Sequence, residues 1–140
     1  MTDYNITELD ISKQNLTHLP EDIHKYTKLE TLFCNHNKLT HLDNLPQSLE
    51  ILNCSSNKIT NLDNLPPSLK LLHCRSNQIS NLDYLPPTLK FLECNNNKLT
   101  NLDNLPQTVE FLNCNNNPFT YDFYPTLENI RNYLETSRNI

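Results

Sequence analysis

Residues 49–68 read LEILNCSSNKITNLDNLPPS, and residues 69–88 repeat the pattern as LKLLHCRSNQISNLDYLPPT. Similar units of 20 residues begin at residues 29 and 89, and a further unit begins at residue 109 and loses the pattern after Pro118. A divergent unit of 23 residues, starting at residue 6, precedes them. Repeats this short cannot enclose their own apolar face, so they are expected to stack into one elongated body with a continuous core.

Each unit contains a short apolar segment whose side chains should alternate between core and solvent. In residues 51–55, Leu52 and Cys54 are expected to point inwards, while Ile51, Asn53 and Ser55 point outwards. Such segments predict short parallel strands that form a curved sheet, whose outward face is concave. The other half of each unit has too much proline for a helix and predicts an extended convex side.

The pattern LxxLxCxxNxL resembles the leucine-rich repeat template, with cysteine in place of one leucine, over roughly residues 6–124. The longer unit, LxxLxCxxNxLTxLDxLPxSL, is similar to the short LP-containing repeats of enterobacterial effector proteins. The cysteine column resembles the cysteine ladder of one Listeria internalin subgroup, and similar asparagine-rich repeats occur in proteins of giant amoebal DNA viruses and protists. The resemblance implies a protein-binding concave sheet and a virus or host-interaction role.

The fold class expected is therefore an α/β repeat, rich in β structure: a leucine-rich repeat solenoid of six coils. Its units start at residues 6, 29, 49, 69, 89 and 109, and the solenoid occupies residues 1–124. Residues 125–140 of the same domain place Leu127, Ile130 and Leu134 at helical spacing, which predicts an amphipathic helix that caps the last coil. At the other end, the edge of the first strand is expected to stay open.

Composition and charge argue against several classes of protein. The net charge of -5 and a pI near 5.4 disfavour a nucleic-acid-binding surface. No stretch approaches the ~20 apolar residues that span a bilayer, and the first ten residues lack the basic and apolar regions of a signal peptide. The sequence predicts a cytoplasmic protein with neither a nucleic-acid nor a membrane partner.

The five cysteines, at residues 34, 54, 74, 94 and 114, are expected to pack in the core. Stacked thiols invite three other interpretations: disulfides, a metal ladder or a nucleophile. Parallel Cβ vectors suit a disulfide poorly, and burial among leucines raises the pKa of a thiol. Core packing is therefore preferred, with no metal site, no cofactor and no catalytic residue assigned.

Other repeated polar residues have structural interpretations. The asparagine column at residues 37, 57, 77, 97 and 117 is expected to bond backbone groups at the bend after each strand. The aspartates at 43, 63, 83 and 103 suggest a calcium column, but turn capping is preferred because the chain has no glycine. Left-handed turn positions should accordingly fall to asparagine or aspartate. His18 and His41 share a column without a third metal ligand.

The outward strand positions are the candidate partner-binding residues. One column contains Ile51, Leu71, Phe91 and Phe111, which would anchor a protein partner of unknown identity. Around it, Phe33, His73, Arg75 and Glu93 would add aromatic and polar selectivity. The sequence thus predicts a non-enzymatic interaction module. The alternatives are a homodimeric structural protein, which uses this column or the open first strand, and cross-strand packing without a partner.

Overall fold

The computed structural model describes residues 1–138 and contains six short strands followed by one helix. The strands are β1 (Glu8–Asp10), β2 (Thr31–Phe33), β3 (Ile51–Asn53), β4 (Leu71–His73), β5 (Phe91–Glu93) and β6 (Phe111–Asn113). The helix, α1, spans Leu127–Arg138, and a 3-10 turn at Ile23–Lys25 occupies the longer first unit. The predicted cap extends to residue 140, and residues 139–140 lie outside the described residues.

All six strands belong to one parallel sheet, in sequence order from β1 to β6. The register never slips: the middle leucine of each strand pairs with the middle leucine of the next, from Leu9 to Leu112. Five complete turns of a solenoid therefore connect the six strands. Between strands, the chain of the 20-residue units runs through extended segments and turns with no helix.

The core is one continuous column, because each coil contributes the same inward positions. In the third coil these are Leu49, Leu52, Cys54 and Ile59, all fully buried. Burying a leucine side chain is worth roughly 1.5–3 kcal/mol, but here the burial depends on the neighbouring coils. At the far end, α1 closes the column with Ile130 and Leu134, which are both buried.

The asparagine column joins successive coils through their backbones, as the sequence predicts. The amide nitrogen of Asn57 donates to the carbonyl oxygens of Cys34 and Cys54, each at 3.0 Å. Its Oδ1 accepts the backbone N–H of Leu39 at 3.0 Å. In the first five coils, the backbone groups at the bend after the strand are thereby bonded by an asparagine side chain of the next coil.

A second set of bonds between coils was not anticipated from the sequence. The hydroxyl of Ser68 donates to the carbonyl oxygen of Leu49 at 2.7 Å, and Thr88 bonds Leu69 in the same way at 2.7 Å. A hydroxyl at the end of each of these 20-residue units therefore satisfies the carbonyl group of the first core leucine of the same unit, one turn of the solenoid earlier. This bond explains why serine or threonine follows the proline-containing segment.

The prediction for left-handed turn positions is wrong at half of them. Positive φ occurs at Asn15, Asn44, Asn96 and Asn116, but also at Lys13, His36, Ser56 and Ser76. In the repeating turn, the backbone N–H of Ser76 donates to the carbonyl oxygen of Asn95 at 3.0 Å, so bonding between coils fixes the conformation. The position does not need asparagine, because the backbone hydrogen bonds between coils offset the steric cost of the left-handed conformation, about 1–2 kcal/mol.

Candidate functional site

The apolar column on the outward face forms a continuous stripe. Register aligns Ile51, Leu71, Phe91 and Phe111 on adjacent strands. The first three are half-buried, whereas Phe111 is 45% exposed. The rings of Phe91 and Phe111 stack with centroids 4.4 Å apart and planes 8° from parallel. The stripe therefore ends at β6 in an aromatic ring that is open to solvent, while its neighbours pack against each other.

Beside the stripe, His73 and Glu93 form a hydrogen-bonded pair on adjacent strands. His73 Nδ1 lies 2.8 Å from Glu93 Oε2, and because a carboxylate only accepts, Nδ1 is the donor. The imidazole also lies against Phe91, with ring centroids 5.1 Å apart. The pair leaves His73 Nε2 available to an external group. The sequence placed these residues side by side, and the structure adds the bond between them.

Two of the eight predicted site residues lie apart from this cluster. Arg75 is exposed beyond the end of β4 and makes no ion pair with Glu93 or with any other acid in residues 1–138. Phe33 lies on β2, two strands away from His73 on β4. The structure therefore brings six of the eight residues together on β3, β4, β5 and β6, and the polar trio predicted around Arg75 is only a pair.

A charged row borders the stripe just before the strands. It contains two ion pairs between neighbouring coils: Lys70 Nζ lies 3.0 Å from Glu50 Oε1, and Lys90 Nζ lies 3.4 Å from Glu110 Oε1. All four side chains are well exposed, so each pair contributes little to stability. Glu30, the first member of the row, forms no ion pair within the described part of the chain.

Two residues near the site were missed by sequence reasoning. Tyr124 is 70% exposed, and its hydroxyl donates to Asn115 Oδ1 at 3.4 Å, which adds an aromatic side chain at the β6 end. It follows the point where the repeat fails, so periodicity gave no signal. Ser55, expected to face outwards, is only 5% exposed, and its Oγ has no hydrogen-bond partner within residues 1–138.

The thiol column lies on the opposite, inner side of the sheet. All five cysteines are buried, and none forms a disulfide. Desolvation raises the pKa of Cys34 to about 12 and that of Cys114 to about 11, and it also raises the pKa values of Cys54, Cys74 and Cys94 well above the ordinary value. Protonated, inaccessible thiols are poor nucleophiles, which confirms the packing role.

The other candidate ligand columns have side-chain partners. Asp103 Oδ1 accepts the hydroxyl of Tyr121 at 2.7 Å, and Asp83 Oδ1 accepts the Asn104 amide at 3.2 Å. Within residues 1–138, none of the four aspartates accepts a backbone N–H of its own turn, so the expected turn capping is not observed. His18 and His41 do stack, with ring centroids 5.7 Å apart. Across residues 1–138, no group of three or more potential ligands is arranged to hold a metal ion.

Solved structures with the same architecture include three bacterial proteins. A Shigella effector leucine-rich repeat domain is 32% identical with a TM-score of 0.79, and the match covers 89% of this chain and 55% of that one. The functional domain of InlJ from Listeria monocytogenes, which includes a cysteine ladder, is 28% identical with a TM-score of 0.53, covering 91% and 38%. The fold is a leucine-rich repeat solenoid. YopM from Yersinia enterocolitica is 26% identical with a TM-score of 0.58, covering 86% and 36%.

The leucine-rich repeat solenoid confirms the fold class expected from the sequence, including the parallel sheet, the extended side and the C-terminal helix. No family model and no curated protein sequence matches the chain. It spans about half of the Shigella domain and just over a third of the other two. Within residues 1–138, no helix has the length and apolar character needed to cross a bilayer.

Proposed function

We propose that this leucine-rich repeat solenoid is a non-enzymatic protein-binding module that contacts its partner through the concave face. The observation that carries the proposal is the half-open stack of Phe91 and Phe111, because an exposed ring beside partly buried apolar neighbours is typical of a contact anchor. Ile51 and Leu71 would extend this anchor. The neighbouring solved structures, which are leucine-rich repeat proteins, support an interaction role in general.

The selectivity of the contact would come from the polar and aromatic residues around the stripe. The bond between His73 and Glu93 holds both side chains in fixed positions and leaves one imidazole nitrogen for a partner group. Arg75 and Phe33 would contact the partner further from the anchor. A role in catalysis is not proposed, because the buried thiols are protonated and no hydroxyl or thiol in residues 1–138 bonds to His73.

The test is capture of protein partners from a lysate of cells that make the protein. The variant Phe91→Glu with Phe111→Glu should lose the captured protein, because two carboxylates replace the anchor. A matched control, Asn64→Glu with Tyr84→Glu, adds the same charge at exposed positions outside the sheet and should keep it. Urea unfolding of both variants reports whether the fold is intact. Capture that survives the double phenylalanine change would contradict the proposal.

Self-association through the same stripe or through the outer edge of β1 is the alternative function. Phe111, at 45% exposure, would be the contact in a homodimer formed through the stripe. Sedimentation at micromolar concentration separates the two functions, because the partner-binding proposal expects a monomer. A stable dimer that the Phe91→Glu with Phe111→Glu variant dissociates would favour the alternative.

Residues 1–124 and the helix-containing segment from residue 125 would act as one domain, with α1 packed on the last coil through Ile130 and Leu134. A cytoplasmic location fits the five reduced thiols in the core. A protein partner, and not a nucleic acid, fits a net charge of -5.

A further inference from the structure

We propose that the partner presents a basic segment in a defined direction, with its apolar anchor on β5 and β6 and its lysines or arginines on β1 and β2. The inference rests on the proposed function, since it describes the chemistry of the partner for that same concave face. It follows from the row of side chains that contains the apolar stripe, because this row changes from apolar to acidic along the axis of the solenoid.

The row begins in acid and ends in aromatic rings. Strand register places Glu8, Thr31 and Ile51 in line with the rest of the stripe on β4, β5 and β6. Glu30 lies beside this line in the adjacent coil, since its backbone N–H donates to the carbonyl oxygen of Thr7 at 2.8 Å. The stripe is therefore continuous with a pair of glutamates at the β1 and β2 end.

These two glutamates have no compensating charge within residues 1–138. Neither Glu8 nor Glu30 has a basic group within 4.0 Å, whereas Glu50, which follows Glu30 in the charged row before the strands, is paired with Lys70. Both side chains are exposed. Like charges in adjacent coils oppose folding, so a cation from a partner would relieve the repulsion as well as gain its own attraction.

The basic side chains of this face lie away from the two glutamates, and Arg75, which has no ion pair within residues 1–138, is beyond the end of β4, two strands from β2. Lys70 and Lys90 are near the stripe, but each is held by a glutamate of a neighbouring coil. Lys13 lies beside Asp10, at the opposite end of β1 from Glu8, and helps to lower the pKa of that carboxyl after the hydrogen bonds from Ser12. The change from acidic to apolar side chains along the row that contains the stripe is thus due to the residues of that row. This change favours one orientation of a bound segment over the reverse.

Geometry sets the spacing of the partner's two features. Parallel strands lie about 4.8 Å apart, so the midpoint between Glu8 and Glu30 is about 19 Å from the midpoint between Phe91 and Phe111. An extended peptide advances about 3.3 Å per residue, so about six residues separate its apolar anchor from its basic group. With a shorter or a longer separation, the segment would contact either the phenylalanine rings or the two glutamates, but not both.

Synthetic peptides of about eight residues test this spacing directly. The lysine probe carries two phenylalanines, four serines and two lysines in that order; the glutamate probe replaces both lysines with glutamates. A third peptide has the composition of the lysine probe, with the lysines next to the phenylalanines. In an NMR titration at low salt, the lysine probe should bind about tenfold more tightly than either of the others. Raising the salt to about 0.5 M should remove most of the advantage.

Variants then locate the charge effect. Glu8→Gln with Glu30→Gln should remove the preference for the lysine probe, whereas Glu21→Gln with Asp63→Asn, an equal charge change at exposed positions outside the sheet, should preserve it. Equal loss in both variants, or no measurable binding of the lysine probe, would overturn the inference. If all peptides bind equally and Phe91→Ala with Phe111→Ala weakens them all, the proposed function survives and the basic segment does not.

Discussion

Asn77 Oδ1 accepts the backbone N–H of Ile59, in the preceding coil, at 3.0 Å. The amide nitrogen of the same side chain donates to Cys54 at 3.0 Å and to Cys74 at 3.1 Å. One asparagine therefore satisfies three buried backbone groups in two coils. Because this geometry repeats along the solenoid, the asparagines couple the coils as directly as the sheet does.

The variant Asn77→Ala should be strongly destabilised. It leaves the buried N–H of Ile59 without a partner, at about 1–3 kcal/mol, and removes one of the two amide donors to each carbonyl oxygen of Cys54 and Cys74, so a loss of about 2–4 kcal/mol in the free energy of unfolding is expected. Asn117→Ala removes the same bonds at the half-exposed last coil, where water can replace them, and should cost about 1 kcal/mol. Urea unfolding measures both; equal losses would show that burial does not set the cost.

Ser76→Gly should stabilise the protein. Ser76 has φ of 56°, is exposed, and holds a conformation that costs a residue with a Cβ about 1–2 kcal/mol. Glycine removes that cost but makes the unfolded chain more flexible, so a net gain of about 0.5–1 kcal/mol is expected. Ser80→Gly, at an exposed position outside the left-handed region, should instead lower the melting temperature. A loss of stability for Ser76→Gly would mean that its side chain has a role.

Stability should fall at alkaline pH because of the buried thiols. Burial raises the pKa of Cys34 to about 12 and of Cys114 to about 11, whereas an unfolded thiol titrates near 8.5. Above about pH 9 the unfolded state has lost protons that the folded state keeps, so the free energy of unfolding decreases as pH rises, by up to about 1.4 kcal/mol per thiol per pH unit. Below about pH 8 the thiols contribute no pH dependence.

The alkaline effect can be assigned to thiols by substitution. Urea unfolding of the Cys34→Val with Cys114→Val variant, measured from about pH 7 to pH 10.5, should give a shallower pH dependence than the unchanged protein. The slope is the readout, since the substitutions also change packing. Identical slopes would assign the alkaline loss to other groups, such as the tyrosines.

Tyr121→Phe should loosen the last complete coil. The Tyr121 hydroxyl accepts the backbone N–H of Leu102 at 2.8 Å and donates to Asp103 at 2.7 Å, so its removal should cost about 1–2 kcal/mol. Amide exchange at Leu102 should accelerate in particular. Tyr84→Phe, at a side chain that is 68% exposed, should change stability by less than about 0.5 kcal/mol. Unchanged exchange at Leu102 would argue against the bond.

The inside and outside of the sheet could be predicted because the repeat fixes the alternation. A residue such as Leu72 or Cys74 has the same environment in every coil, so one correct assignment holds for all of them. The stacking of Phe91 on Phe111 follows from the same register, and it agrees with the alternative that the apolar side chains of the stripe pack against each other across the strands. Whether the stripe binds a partner stays a prediction, because packing and binding require the same residues.

The features that the sequence did not predict lie in two places: after the point where the repeat is broken, and at repeat positions whose residue type does not indicate their structural role. Serine at the left-handed turn, as at Ser56, is permitted by a backbone bond between coils, which residue type alone does not reveal. Tyr121 and Tyr124 come after the point where the repeat fails, so no repeated sequence position indicated their hydrogen-bond partners. The burial of Ser55 depends on side chains of its neighbours, and alternation predicted the opposite.

The unbroken register of the sheet, with each strand aligned residue for residue on the next, gives the molecule a natural unit of growth. Duplication or deletion of one 20-residue segment of the gene would leave every remaining backbone bond with an equivalent partner. The span between the glutamates and the phenylalanines would then change in steps of about 4.8 Å. Relatives that differ by a whole coil could thus present the same two chemical ends to targets of different length.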